Sequence, residues 1–156
     1  MTDQTHSSGS YTLSLLITWA GLFTGPLVFT IVSYFLKVSS QFTYAATAQF
    51  TSIMAYAVPA FMIGALFGGN FLFKTRLEAI KQMTIPDEKL AAYRGVFIIR
   101  NAMPEMAAFV AVVAFLLAGD VRFLAGAGVM LAWLIFIVPT RGRIANDLEI
   151  SPELVP

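Results

Sequence analysis

Cysteine is absent, and histidine occurs once, as His6 in the polar start MTDQTHSSGS. The first absence excludes disulfides, thiolate metal sites, iron–sulfur ligation and thiol nucleophiles. The second leaves no apolar helix with an imidazole for haem, copper or zinc, so no cofactor and no metal are expected. Charge is scarce as well. Asp, Glu, Lys and Arg make up 12% of the 156 residues and the formal net charge is +1. With no basic run to track phosphates, nucleic acid is set aside as a partner. No nucleophile, metal set or acid and base pair converges along the chain, so an enzyme is the least supported class.

What is abundant is apolar. Hydrophobic residues reach 58% and the mean hydropathy is +0.76, outside the soluble globular range. A bilayer core takes about 20 apolar residues of helix to cross. Four segments meet or approach that length: Tyr11 to Leu36, Ala48 to Phe73, Val96 to Ala118 with a helical lead-in from Leu90, and Val121 to Val138, the last barely long enough. The expected fold is an all-α integral membrane protein, one domain of four transmembrane helices arranged as two antiparallel hairpins, with the lipid bilayer as its first partner. A polar segment (1–10), a loop (74–95) and a tail (139–156) complete the chain and are too short to form an extramembrane domain. The start lacks the basic region and small-residue cleavage pattern of a signal peptide, so the first helix is expected to remain as an anchor.

Orientation follows from Lys and Arg. With the central loop and the tail in the cytoplasm, Lys74, Arg76, Lys81, Lys89, Arg94, Arg100, Arg141 and Arg143 lie inside and only Lys37 and Arg122 outside. The positive-inside rule then places both termini in the cytoplasm. The expected setting is a cell membrane, the bacterial inner membrane above all.

The central loop, KTRLEAIKQMTIPDEKLAAYRG, reads as two helical extensions broken at Thr84 to Pro86. Pro86 suits a first helical turn, and Asp87 and Glu88 follow where the helix dipole favours negative charge. Gly119 and Asp120 leave only a turn between the third and fourth helices, which makes those two antiparallel neighbours.

Lipid tails are as apolar as Leu, so membrane helices associate through close backbone approach, and small residues mark the seams. Gly21 and Gly25 lie on the first helix, Ala60, Gly64 and Gly68 on the second, Ala107, Ala111 and Ala118 on the third, Gly128 and Ala132 on the fourth. These faces serve either the interior of one bundle or docking to further copies or other membrane subunits. Pro26 and Pro59 interrupt the first two helices, and bland packing accounts for both. Trp19, Tyr34, Tyr44, Tyr56 and Trp133 suit interfacial belts or interhelical contacts.

One residue asks for chemistry. Glu105 is the sole carboxylate within an expected span, about 10 Å past the inner edge of the third helix at the usual rise. An acidic residue so placed costs on the order of 3 kcal/mol, and such residues usually face a bundle interior or a water path. Desolvation favours the neutral acid, which suits a reversible proton carrier. Asn101 lies one turn before it on the same face, whereas Arg100 sits about 140° away around the helix and nearer the cytoplasm. Pro104 frees the carbonyl of Arg100, a candidate acceptor for Glu105 or ligand for a cation. The alternative is structural: a protonated Glu105 bonded to Thr24, Thr51, Ser52 or that carbonyl would be interhelical glue.

The segment PDEKLAAYRGVFIIRNAMPEMAAFVAVVAFLLAG, Pro86 to Gly119, resembles the second helix of the proteolipid, or c subunit, of rotary ATP synthases. In that family a polar cytoplasmic loop with a Pro-acidic start leads through an Arg-Gly pair to a membrane carboxylate. Pro86 with Asp87, Arg94 with Gly95, and Glu105 match those positions. The resemblance implies a proton-carrying Glu105. It is confined to that segment: the helix before the loop lacks the family's dense regular glycines, and the first and fourth helices have no counterpart in a two-helix subunit. Two functions are therefore carried forward. The first is a small polytopic subunit that handles protons or cations at Glu105, Asn101 and Arg100. The second is a non-catalytic accessory subunit of a larger membrane complex or oligomer.

Overall fold

The computed structural model describes residues 10–39 and 46–155. The polar start with His6, and Tyr44 among the candidate belt aromatics, lie outside the described residues. The described chain is all-helical, without strands. Its helices are α1 (Ser10–Val38), α2 (Ala48–Lys81), α3 (Pro86–Ala118), α4 (Val121–Phe136) and α5 (Arg141–Leu148), followed by a short 3-10 turn (Pro152–Leu154).

Three helices, α1, α2 and α3, are long and apolar enough to cross a membrane. α2 has 34 residues and α3 has 33. At 1.5 Å per residue each runs about 50 Å, roughly 20 Å more than a hydrocarbon core spans. The central loop, expected as two helical extensions, is mostly helix, the ends of α2 and α3. Its break is local: Gln82 caps α2, and Ile85 is extended at φ −91°, ψ 118°. The cause is Pro86, whose ring disfavours helical backbone in the residue before it and whose missing N–H suits a first helical turn.

The turn between α3 and α4 is made by Gly119, left-handed at φ 71°, whose N–H closes on the carbonyl of Phe115 at 2.7 Å. That backbone state favours glycine, the usual device for ending a helix. Asp120 then caps α4 by accepting from the Arg122 N–H at 2.9 Å, and holds the Arg122 guanidinium at 2.6 Å. Those bonds hold the Asp120 carboxyl below its ordinary range. The Lys37 ammonium donates to the Gly119 carbonyl at 2.9 Å, tying the end of α1 to this turn.

The fourth expected span, Val121 to Val138, is the point of largest difference. α4 has 16 residues, about 24 Å of helix, and α5 follows at a bend of 78°, so the pair makes a span only if the bent halves are counted together. The segment expected as a tail is folded. The Thr140 hydroxyl caps α5 by accepting from the Arg143 N–H at 3.3 Å, and the Arg143 guanidinium satisfies the Phe136 and Val138 carbonyls at 2.7 and 3.2 Å. Ile144, Ala145 and Leu148 share the inner face of α5 and are buried, as is Val155 beyond it.

α3 is the central helix and packs against α1, α2 and α4. Three apolar layers run along it. The first joins Phe73, Leu77 and Ile80 of α2 and Leu90, Tyr93 and Phe97 of α3 to Leu15, Ile144, Leu148 and Val155. The second contains Ala65, Ala107, Ala108 and Met130. The third contains Val58, Ala111, Val112, Phe115, Phe123 and Ala127. The first layer is where α5 docks. Lys81 adds ion pairs to Glu149 at 2.7 Å and Glu78 at 3.4 Å, which hold the exposed Glu149 carboxyl below its ordinary range.

Ala107 and Ala111 lie fully buried on the inner stripe of α3. On α2 the close approach runs through Ala65 and Gly69, one residue on from the stripe of Ala60, Gly64 and Gly68. A methyl on Gly69 would lie 3.2 Å from Met103 Cβ, one on Gly68 only grazes Met103 Cε at 4.0 Å, and one on Gly64 meets nothing within 4 Å. Ala60 is exposed. On α4 the approach is at Gly126, where a methyl would meet Met62 Sδ at 3.1 Å, while Gly128 has open space. On α1, Gly21 is likewise open, and a methyl on Gly25 would reach the Phe109 ring at 3.4 Å. An apolar helix is hydrophobic on every side, so small-residue spacing alone leaves the inward face undecided between neighbouring stripes.

Candidate functional site

α3 carries Arg100, Asn101 and Glu105 within two turns, and packing sends them in different directions. Glu105 is half-buried at the seam with α1. Its Oε1 lies 3.8 Å from the position a methyl on Gly25 would take, with the Phe109 ring beside it. A methyl there would make only ordinary contact with the carboxyl, and a closer one, at 3.4 Å, with the ring.

Among the described residues Glu105 has no hydrogen-bond partner, and its expected partners are engaged or turned elsewhere. The Thr51 and Ser52 hydroxyls donate back into α2, to the Thr47 carbonyl at 3.3 Å and the Ala48 carbonyl at 3.0 Å. Thr24 is exposed on α1. The carbonyl of Arg100, freed by Pro104, faces α2, 3.6 Å from a methyl built on Gly69. Glu105 faces α1, so that carbonyl does not serve it.

Asn101 is fully buried. Its amide donates to the Phe97 carbonyl one turn back at 2.8 Å, and its Oδ1 has no partner among the described residues. An unmatched buried acceptor costs about 1–3 kcal/mol, so this amide stands out inside an otherwise apolar layer.

Arg100 turns towards α2 and α5. Its guanidinium stacks over the Phe73 ring, 4.2 Å from the centroid, and its Nε is buried without a partner. It borders a cavity of about 330 Å³ whose wall includes Asn70 and Lys74 of α2 and Asp147 of α5. Asp147 is held in place by the Tyr93 hydroxyl, which donates to its Oδ2 at 2.9 Å. Sequence reasoning missed this grouping. Tyr93 and Asp147 are 54 positions apart and Asp147 lies in the supposed tail, so no periodic pattern joins them; the one available signal was the spacing of Ile144, Ala145 and Leu148, which marks α5 as amphipathic.

Two aromatics act as interhelical ties. Trp19 Nε1 donates to the Leu134 carbonyl of α4 at 2.9 Å, and the Tyr11 hydroxyl to the Leu90 carbonyl of α3 at 2.6 Å. Both join α1 to the rest of the bundle near the α5 end. Tyr56, by contrast, is 81% exposed on the outer face of α2.

The arrangement therefore holds two separate polar features: a lone carboxyl at the α1–α3 seam, and a charged cavity where α2, α3 and α5 meet. No family model, curated protein or solved structure matches this chain.

Proposed function

We propose that the chain is a small polytopic membrane subunit, four spans with both termini cytoplasmic, that handles protons or cations through Glu105. The observation that carries this reading is the carboxyl itself: half-buried on a membrane-length helix at its seam with α1, and with no donor from its own chain among the described residues. A Glu serving only as interhelical glue would hold a hydroxyl or amide of a neighbouring helix. A Glu that exchanges a proton needs a free oxygen, and Glu105, only half-buried, keeps its carboxyl unbonded among the described residues. The resemblance of Pro86 to Gly119 to a proteolipid helix supports the same role. Arg100 and Asn101 lie about one turn nearer the loop end, with Arg100 stacked on Phe73 and Asn101 bonded to the Phe97 carbonyl. The basic residues around the α2–α3 break and α5 favour the cytoplasm for that end.

Infrared difference spectroscopy of the carboxyl band in lipid, from about pH 5 to about pH 9, tests this with Glu105→Gln as the control. A band that titrates in that range and is lost in the variant is expected. A carboxyl that stays protonated throughout, in a protein whose Gln variant is equally stable and equally assembled, would sink the reading.

A second reading has its own support. Gly21, Gly64 and Gly128 face outward with nothing within 4 Å, and Ala60 is exposed with them. Outward small residues suit an accessory subunit that packs against other membrane helices. That role tolerates Glu105→Gln and loses assembly, with the fold intact, in Gly64→Leu.

A further inference from the structure

We infer that the cavity between α2, α3 and α5 is a binding site for the phosphate of a membrane phospholipid headgroup. Its wall carries three cations, Lys74, Lys81 and Arg100, and two carboxylates, Glu78 and Asp147, beside the Asn70 amide. Among the described residues Lys74 and Arg100 have no carboxylate within ion-pair distance. The carboxylates near Lys81 are spoken for, since Glu78 and Glu149 both pair with it. Arg100 is pre-positioned by its stack on Phe73 and keeps a buried Nε without a partner. The Asn70 amide donates one N–H to the Leu66 carbonyl at 2.9 Å and keeps its second. A guanidinium, an ammonium and that remaining N–H around one opening match the oxygens of a phosphate ester, which takes charge-assisted hydrogen bonds from several donors.

The choice of a lipid over a soluble phosphate rests on α2. Ile63, Phe67, Asn70 and Lys74 follow one another at four- and three-residue spacing and so share one face. Ile63 and Phe67 are 56% and 75% exposed, and the polar residues begin at Asn70. One stripe thus changes from apolar to amide and cation where the apolar run of α2 ends. That is the order in which acyl chain and headgroup phosphate meet a transmembrane helix. Asp147, fixed by the Tyr93 hydroxyl, stands on the α5 side of the same cavity. Its carboxylate is placed to accept from an ammonium or hydroxyl on the headgroup, so phosphatidylethanolamine and phosphatidylglycerol fit better than phosphatidylcholine, which offers no donor.

The test is native mass spectrometry of the delipidated full chain in detergent, titrated with each of the three lipids and, separately, with inorganic phosphate. Lys74→Gln, at an exposed position that leaves packing untouched, is expected to weaken retention of the ethanolamine and glycerol lipids about tenfold, the loss of one charge-assisted hydrogen bond. Arg76→Gln, an exposed cation outside the cavity wall, leaves it unchanged. Asp147→Asn removes the preference over phosphatidylcholine. Equal retention by Lys74→Gln and the parent overturns the site, and equal losses in Lys74→Gln and Arg76→Gln reduce it to general surface charge. Inorganic phosphate that binds alone and displaces the lipid overturns the lipid assignment.

Discussion

Gly69 and Gly64 are one turn and one residue apart on α2, yet the packing assigns them opposite consequences. A methyl on Gly69 would lie 3.2 Å from Met103 Cβ, 3.4 Å from its Cγ and 3.6 Å from the Arg100 carbonyl. Met103 Cβ is fixed to its backbone and cannot swing away as a side-chain tip would. Gly64 meets nothing within 4 Å. Replacing an interior helical Gly by Ala gains about 0.5–1 kcal/mol from backbone entropy, and overpacking a tight contact costs about 1–3 kcal/mol. Gly64→Ala should therefore stabilise by that first amount. Gly69→Ala should then fall between no change and a loss of about 2 kcal/mol, and Gly69→Leu, with three further carbons against Met103, should lose more than Gly69→Ala, about 3 kcal/mol. Thermal or denaturant unfolding of the purified protein in one detergent measures all three. Met103→Ala should recover part of the Gly69→Leu loss, because the two side chains compete for one space, and a cycle over both sites isolates that coupling. Equal destabilisation by Gly64→Leu and Gly69→Leu, or no recovery with Met103→Ala, would refute the assignment of the inward face of α2.

The folded tail yields two more predictions. Leu148 is fully buried under α5, so Leu148→Ala should cost about 2–5 kcal/mol of docking and expose the chain after Pro139 to protease, read as cleavage after residue 139 under native conditions. A variant as resistant as the parent would mean that α5 is held by its cap and ion pairs alone. Glu149 has a depressed carboxyl in the folded state through its bond from Lys81. Its contribution is therefore complete above the ordinary carboxylate range and lost as pH falls through the folded value. The melting temperature of the parent should exceed that of Glu149→Gln slightly at neutral pH, and the gap should close in acid and shrink in high salt, since both groups are exposed. A gap that widens in acid would contradict the pairing.

Local signals along the chain already specified most elements. Pro86 announced both the break after α2 and the first turn of α3, because proline constrains itself and the residue before it wherever it stands. Gly119 and Asp120 announced the α3–α4 turn in the same way, through a left-handed residue and a side-chain cap. The membrane-length apolar runs of α1, α2 and α3 needed no neighbour to be recognised. The weak point was the fourth run, because Val121 to Val138 is apolar enough for a span whether the helix continues or bends.

What the tertiary structure decided is direction. Arg100, Asn101 and Glu105 are close in sequence, and only the positions of α1, α2 and α5 around α3 reveal that they serve a cavity, a core layer and a seam respectively. The sequence by itself determined that the chain is helical, apolar and punctuated at Pro86 and Gly119, since those properties arise from each residue's own backbone and its transfer from water. Which face of α2 turns inward, where α5 docks and which donors Glu105 can reach were decided only by assembly. Their physical reason is packing between surfaces that are equally apolar, where a fit of a few tenths of an ångström at Gly69 or Gly126 outweighs any difference in hydrophobicity.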